Sequence, residues 1–144
     1  MTLRYLLDTS VVSAPMYRSP VPLLVKRLAD HSHESAIAAP VWHELMFGCR
    51  RLPSGKRRRA LETYLRDVVQ ASLPVLPYDT AAATWHGDER ARLEGLGRRP
   101  PFVDAQIAAI AHANDLTLVT VNVRDFAGFQ DLRVTNWSRI DERG

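Results

Sequence analysis

The feature that most restricts the fold is an alternation. Short apolar runs, too brief for buried helices, recur along the chain, and most successive runs are separated by a stretch with helical spacing. Residues 3–8, 35–40, 73–78, 116–122 and 132–137 form the runs, each reading as a short strand bounded by turn residues. "SPVPLLVKRLAD" (19–30) reads as a helix capped by Ser19, with prolines at its start and an apolar stripe through Leu24 and Leu28. "PVWHELMFGCRRL" (40–52) and "SGKRRRALETYLRDVVQAS" (54–72) read as a helical pair turning at Pro53-Ser54-Gly55. The second has Leu61, Tyr64, Leu65 and Val68 on one face. Asp79 and Thr80 are candidate caps of a further helix that ends near Gly95 or Gly97, and another helix covers 103–115 with Val103, Ile107 and Ile110 in register. Strands alternating with helices predict an α/β layer fold, with a mainly parallel central sheet of four or five strands flanked by helices. The prolines of 73–78 place that strand at an edge. With 144 residues and no linker or repeat, the chain predicts one domain, 1–144.

In such a sheet right-handed crossovers bring every strand's C-terminal end to one edge, where open α/β folds carry their sites. The run "RYLLDTSVVS" (4–13) ends its apolar stretch on Asp8, followed at once by Thr9 and Ser10. Glu44 lies in the early turns of the helix after the second strand and Asp104 in the first turn of the 103–115 helix. Asp125 follows the fourth strand, just after Asn122. All four carboxylates therefore project to the same edge. Taken singly, each has an ordinary explanation: Asp8 as a turn residue, Glu44 and Asp104 as acids favoured by a helix N-terminus. Asp104 fits that explanation least, because "FVDAQIAAIAHA" is apolar enough to be buried, and a buried carboxylate needs a partner or a metal. Clustered carboxylates repel, and a divalent cation resolves the repulsion. Hard oxygen ligands point to Mg²⁺ or Mn²⁺ rather than zinc. Such an ion activates water for phosphodiester hydrolysis; the spacing leaves open whether one ion or two bind.

Other chemistries find little support. The lone Cys49 allows no internal disulfide, which suits a reducing, cytoplasmic setting. No apolar run approaches the roughly 20 residues of a membrane span, and the N-terminus carries no secretory pattern. His43, His86 and His112 have no zinc spacing and read as surface or satisfied core histidines. No glycine-rich loop with a following Lys-Ser/Thr is present. The net charge of +3 is concentrated in Arg50, Arg51, Lys56, Arg57, Arg58 and Arg59, with a second group at Arg90, Arg92, Arg98 and Arg99. Each group reads either as a phosphate-contacting patch or as a solvated helix face.

Four segments, "LLDTSVVS" (6–13), "VWHELMFG" (41–48), "PPFVDAQIAAIA" (100–111) and "LVTVNVRDFAGF" (118–129), resemble in order the acidic motifs of PIN-domain ribonucleases, in particular the VapC-type toxins of bacterial toxin–antitoxin pairs. The resemblance implies that Asp8, Glu44, Asp104 and Asp125 form the catalytic, metal-holding set, and that Thr9, Ser10, Thr120 and Asn122 steady it. Relatives differ in whether the position of Asn122 or of Asp125 completes the set. The resemblance further implies Mg²⁺-dependent cleavage of structured RNA (tRNA or rRNA), a homodimer, and neutralisation by a VapB-like antitoxin. On this reading Arg50, Arg51, Lys56, Arg57, Arg58 and Arg59 track an RNA backbone. Three rival readings compete: a housekeeping RNA-processing nuclease of the same class, a haloacid-dehalogenase-like phosphotransferase, and a non-enzymatic binding module. The phosphotransferase wants a second Asp where Ser10 stands, and a binding module has no need of a carboxylate in so apolar a helix.

Overall fold

The computed structural model describes residues 2–140. Its described residues contain five strands, β1 (Tyr5–Leu7), β2 (Ser35–Ala38), β3 (Val75–Leu76), β4 (Thr117–Val119) and β5 (Val134–Thr135). They form one sheet in the order β3-β2-β1-β4-β5, and every pairing is parallel. The central strands are aliphatic without alternation because both faces are covered: Leu6, Leu7, Ala36, Ile37, Leu118 and Val119 are all fully buried. β3 takes an edge, as Pro74 and Pro77 on either side of it require.

Among the described residues six α-helices flank the sheet: α1 (Thr9–Val12), α2 (Pro22–Asp30), α3 (Ala39–Arg50), α4 (Lys56–Tyr64), α5 (Thr80–Gly95) and α6 (Phe102–Ala113). Two depart from the sequence reading. α2 begins at Pro22 rather than at a Ser19 cap, and Val21 precedes it with an extended backbone. Pro20 and Pro22 are the cause, since a residue before proline is pushed out of the α region. α4 continues into a π-helical segment, Leu65–Gln70, and there Val69 is buried while Val68 is exposed. The wider turn advances each residue by a smaller angle, so the i+3 position falls short of the face that i+4 still reaches. α1 was not anticipated by periodicity; Thr-Ser-Val-Val is a poor helix former, and the turn is held by Asp8 at its N-cap and by burial of Val11 and Val12.

α6 lies close on the sheet because the residues it buries are mostly small: Ala105, Ala108, Ala109 and Ala111, with Ile107 and Ile110 between them. Its other flank packs on α5. α5 is started by Asp79, whose side chain accepts from the Ala82 amide (3.0 Å), as its position before the apolar stretch predicts.

The strand order sets the site. The chain leaves β1 towards β2 and β3, then returns to place β4 and β5 on the other side of β1. Between β1 and β4 the connections diverge, which opens a crevice beyond the C-terminal ends of those two strands.

Candidate active site

Leu7 pairs with Val119, so Asp8 and Thr120 leave neighbouring strand ends side by side. The Asp8 amide donates to the Val119 carbonyl (2.9 Å), which continues the ladder one residue past β1. Its carboxylate is held from two sides. Oδ1 accepts from the Thr9 amide (2.8 Å), and Oδ2 accepts from the hydroxyl of the fully buried Thr120 (2.8 Å). Ser10 Oγ stands 3.5 Å from Oδ2, a weaker contact. Thr120 Oγ1 in turn accepts from the backbone amide of Asn122 (3.0 Å). A buried carboxylate thus finds donors on both oxygens, and its direction is set by the first amide of α1 and by the side chain that follows β4.

Asp104 sits in the first turn of α6, half-buried. Its carboxyl is pushed up to about 6, first by burial and then by repulsion from Asp8, Asp125 and Glu44 in that order. The four carboxylates therefore meet electrostatically although they lie on separate elements. Glu44 is exposed on α3, with the Thr9 hydroxyl 3.5 Å from its Oε2. Asp125 is exposed in a 3₁₀ turn, Val123–Phe126, whose first bond runs from its amide to the Asn122 carbonyl (3.0 Å). The two positions that the motifs leave open differ in kind: Asp125 brings a charge that Asp104 feels, while Asn122 acts through its backbone amide on Thr120.

Among the described residues no three carboxylates or imidazoles close around a single point. An all-oxygen donor set in which the other three carboxylates help raise Asp104 fits magnesium, which is commonly held by one or two carboxylates and several waters rather than by a full protein cage.

The loop carrying Asp125 is braced by a pair that sequence spacing alone did not single out. Glu89 of α5, buried, accepts from Arg92 Nε (2.8 Å) and Nη2 (2.9 Å) and from the Gln130 amide (2.8 Å). Arg92 Nη2 also donates to the Gly128 carbonyl (2.8 Å). Arg92 therefore leaves the second basic group and becomes a structural residue; the Glu-x-x-Arg spacing in "ERAR" was the available signal. The first basic group divides as well. Arg50 and Arg58 both pair with Glu62 (3.5 and 3.0 Å), and Arg51 lies over the Phe47 ring. Lys56, Arg57 and Arg59 are exposed. The histidines behave as read: His86 is buried and bonded to the Tyr78 hydroxyl (2.7 Å), and His112 stacks on Trp85.

The PIN domain model matches residues 5–131. A tRNA(fMet)-specific endonuclease VapC from Shigella flexneri is 30% identical over 94% of this chain and 99% of its own. The crystal structure of FitAcB from Neisseria gonorrhoeae superposes with a TM-score of 0.86 at 27% identity, covering 94% of this chain and 99% of that one. A member of the VapBC family of toxin–antitoxin systems from Mycobacterium tuberculosis superposes at 0.64 with 25% identity, over 92% of this chain and 96% of its own. The fold, the order of the acidic motifs and these likenesses displace the dehalogenase-like and non-enzymatic readings. The chain belongs to the PIN-domain family, among proteins of the VapC type.

Proposed function

We propose that this protein is a Mg²⁺-dependent endoribonuclease that cleaves structured RNA of the tRNA or rRNA class and serves as the toxin of a toxin–antitoxin pair. The observation that carries the reading is the Asp8 carboxylate, fixed at the C-terminal edge of the sheet by the Thr9 amide and the Thr120 hydroxyl; Asp104, raised by burial and by repulsion from Asp8, Asp125 and Glu44, agrees with it. A site that concentrates four acids at a sheet crevice favours a divalent cation, and Asp8 and Asp104, the two more buried members, would hold it. When bound, the ion acidifies a coordinated water and offsets charge on the scissile phosphate. Thr120 and the Thr9 amide keep Asp8 aimed into the crevice, so no reorientation is needed when substrate arrives. Glu44, at the rim beside the Thr9 hydroxyl, accepts the proton of the attacking water. Asp125 completes the acidic rim from the braced loop.

The named relatives also support a VapB-like antitoxin as partner, and the family resemblance a homodimer. The test incubates purified protein with total RNA in Mg²⁺ or EDTA, alongside Asp8→Asn. Discrete fragments that require the metal and disappear in the variant are expected; identical patterns from wild type and variant would refute the reading. Growth arrest on expression, relieved by the cognate antitoxin, separates a toxin from a housekeeping nuclease.

A further inference from the structure

Two cavities, of about 160 and 480 Å³, flank the loop 96–101 that leads into α6. They share Leu93, Arg98, Arg99, Pro100 and Phe129, so they adjoin along these residues as the two halves of one trench. Arg124 and Asp125 line the larger of the two, which therefore adjoins the acidic group through Asp125; Arg90 and Phe102 line the smaller. Phe102 precedes Asp104 by two residues and leaves 51% of its surface exposed. One side of its ring packs on His86 (4.8 Å between centroids), and the Arg90 guanidinium lies 5.5 Å from its centre. Arg90 is neutralised locally by Glu94 (3.3 Å), which also lines the trench. Arg98, Arg99 and Arg124 make no ion pair among the described residues.

Packing does not account for this arrangement. A phenylalanine half in water adds little to the core, and Arg98 and Arg99, which line the same cavity, pair with no acid among the described residues. An unpaired nucleic-acid strand matches both features: its phosphates take the guanidinium groups, and its bases stack on an aromatic face. A continuous duplex presents no free base face to Phe102. The trench wall is rigid, because Arg92 ties Gly128 to α5 through Glu89.

We propose that this trench binds a single-stranded segment of the RNA substrate, with Arg98, Arg99 and Arg124 on backbone phosphates and Phe102 stacked on an unpaired base, and so leads the strand to Asp8 and Asp104. The proposal rests on the ribonuclease reading and extends it by naming the path of the strand and the residues that hold it. The α3–α4 basic cluster is then not the route into the site.

The test measures binding of a short fluorescein-labelled single-stranded RNA of mixed sequence, in EDTA so that nothing is cut, across a salt titration. For Arg98→Ala/Arg99→Ala the slope of log K against log salt is expected to fall by about 1.4, two contacts at about 0.7 each. Phe102→Ala is expected to weaken binding at least about fivefold at every salt with its slope unchanged, while Phe102→Trp restores it. Lys56→Ala/Arg57→Ala/Arg59→Ala is expected to change the slope less than the Arg98/Arg99 pair. The same RNA as a duplex should be insensitive to Phe102→Ala. Melting curves confirm folding, and the tryptophan variant guards against a loss of structure at position 102. An unchanged slope in the Arg98/Arg99 variant, or wild-type affinity in Phe102→Ala, overturns the trench while Mg²⁺-dependent cleavage by wild type leaves the nuclease reading standing. Wild type that neither binds nor cleaves RNA overturns both.

Discussion

Asp104→Asn removes a charge that burial, and then the neighbouring carboxylates, disfavour. The folded protein raises this carboxyl from 3.8 to about 6, so ionising it at pH 8 costs the fold free energy that the unfolded chain does not incur. At about 1.4 kcal/mol for each tenfold change in proton affinity, the limit is about 3 kcal/mol. Asp104 is only half-buried, and Glu44 and Asp125 are exposed, so solvent and salt screening reduce this to about 1–2 kcal/mol. The sign follows from linkage. Below pH 3.8 the group is protonated in both states and costs nothing; the stability it then contributes is lost as pH rises through about 6. In EDTA at pH 8 the variant should therefore melt about 3–8 °C higher than wild type, and the gap should close at pH 3 to 4. Adding Mg²⁺ should stabilise wild type more than the variant and shrink or reverse the gap. RNA cleavage by the variant should drop at least about 100-fold. A variant that is less stable than wild type in EDTA at pH 8, or a gap independent of pH, would show that burial and the neighbouring carboxylates do not raise Asp104.

Two further substitutions probe how the acids are held. Thr120→Val keeps the shape but removes the hydroxyl that serves both Asp8 and the Asn122 amide; a 10–100-fold loss of cleavage or Mg²⁺ affinity is expected, with Thr120→Ser largely restoring it. Restoration failing with serine would point to packing of the methyl group instead. Glu89→Gln breaks the paired contact with Arg92, whose guanidinium holds the Glu89 carboxyl below the usual carboxylate range. A loss of about 1.5–3 kcal/mol is expected in denaturant unfolding at pH 7. Because the folded carboxyl is depressed, that contribution fades as pH falls through its folded value, so the wild-type advantage should shrink in acid. An effect confined to stability, with no change in cleavage, would detach this pair from the Asp125 loop.

Local rules worked best where several agreed at one residue. Asp79 capped α5 as read, and the prolines around Val75 put β3 at an edge because a missing amide cannot serve a central ladder. They failed where two signals competed: Ser19 is a good cap, but each of the two following prolines forbids helix at the residue before it. The π segment after Tyr64 escaped notice because it changes the angle between residues without changing composition, so Val68 and Val69 exchange places on an identical pattern.

The sequence by itself determined the parallel layer and the edge to which Asp8, Glu44, Asp104 and Asp125 project, because strand and helix periods and crossover handedness are properties of the local chain. It also marked Asp104 as exceptional, through the apolar residues on either side of it. What tertiary structure alone decided is which side chains meet. Thr120 reaches Asp8 across 112 positions of sequence only because β4 returns beside β1. Arg92 left the basic surface for Glu89 and Gly128, while Arg98 and Arg99 stayed in an open trench beside Asp125. Identical residues in one short stretch thus took opposite roles. Arg92 has Glu89 one turn away on its own helix, and only the fold brings the Gly128 carbonyl to the same guanidinium, whereas Arg98 and Arg99, beyond the end of α5, pair with no acid among the described residues.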